Sequence, residues 1–166
     1  MTLFRNVPLS EIRVGQSAEA RRIALADDFY VFANASGNLN PLHLPREDGD
    51  GDGIPEAVAP SMWVAALISS VLGNHLPGPG TRYRAQSLRF LGNAHPGDEL
   101  VIRARVTAVD PGGTVRLETT VSHLDGRAVV EGEAEVLAPR TKQTFSADDI
   151  PGLTVQRHVH FDALLA

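Results

Sequence analysis

Pro60-Ser-Met-Trp-Val-Ala-Ala-Leu-Ile-Ser-Ser-Val-Leu72, followed by Gly73 and Asn74, carries apolar side chains nearly all the way round a helical wheel. Pro60 or Ser61 suits the start of that helix and Gly73 suits its end. Such a helix needs cover on most of its faces, and a curved sheet wrapped around it would supply that cover. Working outward toward the C-terminus, Leu100, Ile102, Ala104, Val106 and Ala108 alternate with Arg103, Arg105 and Thr107. Val115, Leu117, Thr119 and Val121 alternate with Arg116, Glu118 and Thr120, and Val130, Gly132, Ala134 and Val136 with Glu131, Glu133 and Glu135. A period of two with a charged outer face predicts antiparallel strands covered on one side. Asp110-Pro-Gly-Gly113 and Asp125-Gly126 supply the connecting turns.

Outward in the other direction, residues 8 to 26 read as an entry loop and a strand. Asp27 and Asp28 then sit where carboxylates complement the dipole of a starting helix. Phe29, Phe32 and Ala33 give it one apolar face, and Gly37 is its natural stop. Helices first and a meander of strands later is an α+β order. At 166 residues the chain is one domain, or one domain with a tail.

Composition narrows the function. The formal charge is −5 and there is no dense Lys/Arg run, which argues against a nucleic-acid or anionic-membrane partner. The absence of cysteine excludes disulfides, thiolate metal sites and a Cys nucleophile. The first residues lack the apolar core of a signal peptide, and no run approaches the ~18 apolar residues of a membrane span. A cytoplasmic protein is expected.

The helix ending at Gly37 leads into Ala33-Asn-Ala-Ser-Gly-Asn-Leu-Asn-Pro-Leu-His43. This stretch resembles the A-x-x-S-G-D-x-N-P-[LIV]-H signature of the MaoC-like, or R-specific enoyl-CoA hydratase, family. Further motifs in the same order are similar to that family: Met62-Trp63 through Gly73, Leu76-Pro-Gly-Pro-Gly-Thr81, Tyr83, Gln86-Ser-Leu88, Phe90 and Gly97-Asp98. The resemblance spans roughly residues 5 to 140. It implies a hotdog fold, with a long central helix wrapped by a curved antiparallel sheet, in agreement with the bare pattern. It also implies a homodimer made by joining two sheets, and a CoA thioester as substrate or ligand with no metal or redox cofactor.

Adding water across a conjugated thioester needs a base for the water, a proton for the α-carbon and donors for the thioester oxygen. The resemblance places His43 on the water and Asn38 as the group orienting it. The start of the Ser61 helix would hold the thioester oxygen, with Met62, Trp63 and Gln86 binding substrate or walling its tunnel. The sequence departs from the family at three points: Asn38 replaces the catalytic Asp, Pro60-Ser61 a His-Gly pair, and Ala85 a Gly. An amide has no useful basicity, and loss of a general base costs about 100- to 10,000-fold in rate. Two rival readings follow: a non-catalytic acyl-CoA-binding or assembly module, and a thioesterase.

Asn40-Pro41 reads as turn chemistry that ties this loop together. His75, His95 and His123 are scattered in sequence. Asp48, Asp50, Asp52 and Glu56 resemble the start of a calcium loop, but Ala59 stands where an EF-hand needs Glu. An acidic linker is the preferred reading. After residue 139 a polar connector is expected, ending in a helix start from Arg157. The hotdog domain is thus read as 1–139 and residues 140–166 as the lead into a following domain, similar to bifunctional proteins that continue into a phosphate acetyl- or butyryltransferase.

Overall fold

The computed structural model describes residues 3–45, 51, 53, 56–152 and 154. The helix start expected at Arg157 and three of the four acids of the candidate calcium loop, Asp48, Asp50 and Asp52, lie outside the described residues.

Period-two alternation produces the sheet. Strands β2 (Ser17–Ile23), β3 (Arg82–Gln86), β4 (Arg89–Phe90), β5 (Glu99–Val109), β6 (Thr114–His123) and β7 (Ala128–Leu137) form one antiparallel sheet. Its order is β2-β5-β6-β7-β3, with β4 also on β7. The inward residues of β6, Val115, Leu117, Thr119, Val121 and His123, are all buried. The outward residues set opposite charges directly across from one another. Arg103 faces Glu19, Arg105 faces Glu118, Arg116 faces Glu135 and Arg89 faces Glu131. Each of these register partners is also an ion pair, at 2.7–3.7 Å. A one-residue slip would turn this face inward, so pattern and charge fix the register together.

The apolar run forms α2 (Ser61–Asn74), which packs on β5, β6 and β2 through Trp63, Val64, Ala65, Ile68, Val71 and Leu72. Phe29 of α1 (Ala26–Ser36) meets Trp63 edge-on, with ring centroids 5.1 Å apart. The fold is therefore the expected α+β arrangement, a central helix on a wrapped antiparallel sheet. Two details of α2 differ from expectation. Gly73 lies inside the helix, which runs on to Asn74; Pro77 has no N–H to extend it. Ser61, Met62, Ala66, Ser69 and Ser70 form an exposed strip along one side of the single chain, because small Ala and Ser residues fill a helical wheel without demanding burial.

α1 begins and ends as its sequence dictates. The Asp28 carboxylate accepts from the Leu25 N–H at 3.3 Å and grips Arg22 at 2.7 and 2.8 Å. Gly37 takes the left-handed conformation, φ 72°, and donates its N–H to the Ala33 carbonyl at 2.8 Å.

A second, two-stranded sheet joins the N-terminal strand to the segment after the meander: β1 (Leu3–Arg5) pairs with β8 (Thr144–Ser146). So the segment that reads as polar connector contains a strand. Asn6, only 6% exposed, locks it. Its side-chain amide donates to the Pro79 and Thr141 carbonyls at 3.0 and 2.9 Å and accepts from the Gln143 N–H at 2.9 Å. No helix among the described residues is long and apolar enough to cross a membrane.

Candidate active site

Between α1 and the 3-10 turn Pro41–His43 the chain makes three nested turns, each closed by a polar side chain. Ser36 Oγ accepts from the Asn38 N–H at 3.2 Å, Asn38 Oδ1 from the Asn40 N–H at 3.2 Å, and Asn40 Oδ1 from the Leu42 N–H at 3.1 Å. The Asn40 carbonyl then takes the His43 N–H at 2.9 Å. Short side chains that bond their own backbone two residues on are what this geometry requires, and the sequence supplies them in order. The product of these turns is a fixed position for His43.

The imidazole is held from a distant part of the chain. Its Nδ1 lies 2.9 Å from the Val58 carbonyl, while the Val58 N–H donates to the Leu42 carbonyl at 3.0 Å. A carbonyl can only accept, so the neutral ring carries its proton on Nδ1 and leaves the Nε2 lone pair open. Ala59 N–H donates to the Ala94 carbonyl at 2.8 Å, which anchors this connection immediately before α2. His43 is half-buried, and the carbonyl that holds it lies two residues before Pro60, the residue that precedes that helix.

Pro60 gives α2 no side-chain cap, and its first bond runs from Val64 N–H to the Pro60 carbonyl at 3.1 Å. The N–H groups of Ser61, Met62 and Trp63 therefore have no acceptor within the helix. Ser61 and Met62 are exposed, so their donors stand at the positive end of the helix dipole in reach of a ligand. Trp63 lies in the core against Phe29 and forms the wall behind this turn.

Asn38 is exposed, with Oδ1 engaged by the backbone and its amide NH2 directed away from that bond. Gln86 stands elsewhere, on the inward face of the sheet. Its Nε2 donates to the Ser87 carbonyl at 2.8 Å and to Thr119 Oγ1 at 3.1 Å. Its Oε1 is buried without a partner among the described residues. This bracket crosses β7 at Gly132, where any Cβ would collide with the Ser87 carbonyl oxygen. Glu56 is exposed, and among the described residues no cluster of His, Asp and Glu is arranged to hold a metal ion.

The histidines include a device that sequence spacing hides. His95 and His123 both place Nδ1 3.7 Å from Asp98 Oδ2, and His95 N–H donates to that oxygen at 2.7 Å. Buried His123 lies with Nε2 3.0 Å from the Asn93 carbonyl. The cluster thereby steadies the segment whose Ala94 carbonyl anchors Ala59, one residue from the carbonyl that holds His43. His75 is separate and stacks edge-on with Phe4 at 5.8 Å. The convergence rests on strand register, a long-range property absent from local spacing.

The chain is similar to several characterised proteins over most of their length. It is 35% identical over 129 residues to the (R)-specific enoyl-CoA hydratase of Rhodospirillum rubrum, covering 78% of this chain and 90% of that protein. It is 31% identical over 141 residues to the 3-hydroxybutyryl-CoA dehydratase of Methylorubrum extorquens, covering 84% of this chain and 89% of that one. Its structure matches the unliganded R-hydratase of Pseudomonas aeruginosa with a TM-score of 0.84 at 35% identity, covering 93% of this chain and 100% of the other. The MaoC like domain model matches residues 10–127. With its signature loop, its central helix on a wrapped sheet and these relatives, the chain belongs to the MaoC-like domain family.

Proposed function

We propose that this protein is an R-specific enoyl-CoA hydratase, adding water reversibly across the double bond of short or medium trans-2-enoyl-CoA in the cytoplasm. The observation that carries the reading is the His43 Nδ1 contact to the Val58 carbonyl at 2.9 Å. That one bond sets the tautomer and, in this reading, leaves Nε2 to act at the open first turn of α2. In the forward direction Nε2 takes a proton from water as the oxygen bonds to C3. Charge passes through C2 to the thioester oxygen, where the N–H groups of Ser61 and Met62 receive it. The imidazolium then returns its proton to C2, so the reaction is redox-neutral and balanced without a further reactant. The Asn38 NH2 orients the water and Met62 and Trp63 line the acyl side, while Gln86, expected to bind substrate, has its side chain turned inward onto Thr119 and braces the sheet instead.

We also infer a homodimer. Among the described residues β3 pairs only with β7, which leaves its other edge open. Tyr83, Phe90, Leu91 and Met62 are exposed apolar side chains at or near this rim and the α2 strip. Sedimentation at micromolar concentration, giving twice the monomer mass, tests this.

Asn38 favours one rival, a binding module that keeps the pocket without the chemistry. Crotonyl-CoA hydration, with product chirality, measured on the unaltered chain, His43→Ala and Asn38→Asp, separates the two. Activity in the unaltered chain that His43→Ala abolishes supports the hydratase. Silence in both the unaltered chain and Asn38→Asp, with acyl-CoA still bound, selects the binding module.

A further inference from the structure

The chain forms a cleft of about 250 Å³ whose lining includes neither His43 nor any residue of α1 or α2. It is lined by Gly80 and Arg82 at the start of β3, by Gly112 and Gly113 of the β5–β6 turn, and by Pro139 and Arg140. None of its lining residues is acidic. The arginines of the outer sheet face, Arg21, Arg89, Arg103, Arg105 and Arg116, each have a carboxylate at 2.7–3.7 Å. Arg82 and Arg140 have none among the described residues. Arg5, Arg13 and Arg84 have no carboxylate within 4 Å among the described residues either, but they line no part of this cleft. What sets Arg82 and Arg140 apart is that they share one concavity in a chain of formal charge −5.

The cleft is also built to hold them. Arg140 Nη2 donates to the Gly112 carbonyl at 3.3 Å, which lays the guanidinium over the turn and leaves its other donors without a partner among the described residues. Gly113 adopts φ 101° and brings backbone close beneath it. At Gly80, φ 91°, a Cβ would come within 2.9 Å of the Gln143 amide, so glycine keeps that side open as well. The volume falls below the ~300–1,000 Å³ of pockets for drug-sized ligands, which suits one compact group. Paired guanidinium forks match the oxygens of a phosphate in spacing and charge.

We propose that Arg82 and Arg140 form a phosphate-binding site separate from the His43 site. The phosphate comes either from the CoA portion of the substrate or from an independent phosphorylated ligand. The first source rests on the hydratase reading; the site itself does not.

The test is calorimetric titration of the full chain with pyrophosphate at low salt, on the unaltered protein, Arg82→Gln/Arg140→Gln and the outer-face control Arg105→Gln. Saturable binding weakened about 10-fold or more in the double variant, and retained in the control, supports the site. Absence of binding, or equal binding in all three, overturns it. Titration with CoA then assigns the source. A matching loss in the double variant makes the phosphate that of CoA, whereas unchanged CoA binding beside lost pyrophosphate binding makes the ligand an independent one. Because both readouts are binding, they stand whether or not crotonyl-CoA is hydrated.

Discussion

At Asn38 the side-chain oxygen closes a turn on the Asn40 N–H, a task that an aspartate oxygen performs equally well. Asn38→Asp should therefore leave thermal stability nearly unchanged while raising crotonyl-CoA hydration by about 100- to 10,000-fold, the usual worth of a general base. Paired melting curves and initial rates check both halves. Much of this loop was readable in advance, because Ser36, Asn38 and Asn40 act on backbone only two residues away. The Val58 partner of His43 was not readable, since it is a carbonyl fifteen positions on and any residue type offers one. Gln86 illustrates the same limit: its sequence neighbours give no hint that its amide reaches Thr119 across a strand.

Among the elements, the meander and α1 follow from alternation and end-residues, because each strand's two faces meet opposite solvents. The end of α2 and strand β8 escape such reasoning; they depend on what lies alongside them. Gly132 shows how tightly neighbours constrain an element. Gly132→Ala pushes a methyl into the Ser87 carbonyl and should cost about 2–3 kcal/mol in urea unfolding, with Gln86 displaced from Thr119. On the outer face, the hydrogen bond from Arg103 holds the Glu19 carboxyl below its ordinary value of 4.5, with the charges of Arg103 and Arg21 adding to it. A depressed carboxylate contributes stability that is present above the unfolded-state pKa and is lost as pH falls through the folded one. The melting-temperature gap between the unaltered chain and Arg103→Ala should thus be steady near neutrality and close on acidification below about 4.5.

For the molecule as a whole, the decisive closure is between its first strand and the segment after the meander. β1 and β8 are short, and the Asn6 amide makes three bonds that tie them to the turn after α2. Asn6→Ala strands the two carbonyls and the N–H that it serves, for an expected loss of about 2–4 kcal/mol. Chemical denaturation should show that loss, and hydrogen exchange should show Phe4 and Phe145 opening ahead of the meander. The attachment of His43 has a different kind of consequence. Its tether is backbone, so exchanging the Val58 side chain for another would leave the bond in place. A position that aims the group proposed to react can thus drift freely in identity. A catalogue of substitutions would pass over it, and only a change in chain length or path there would reveal its importance.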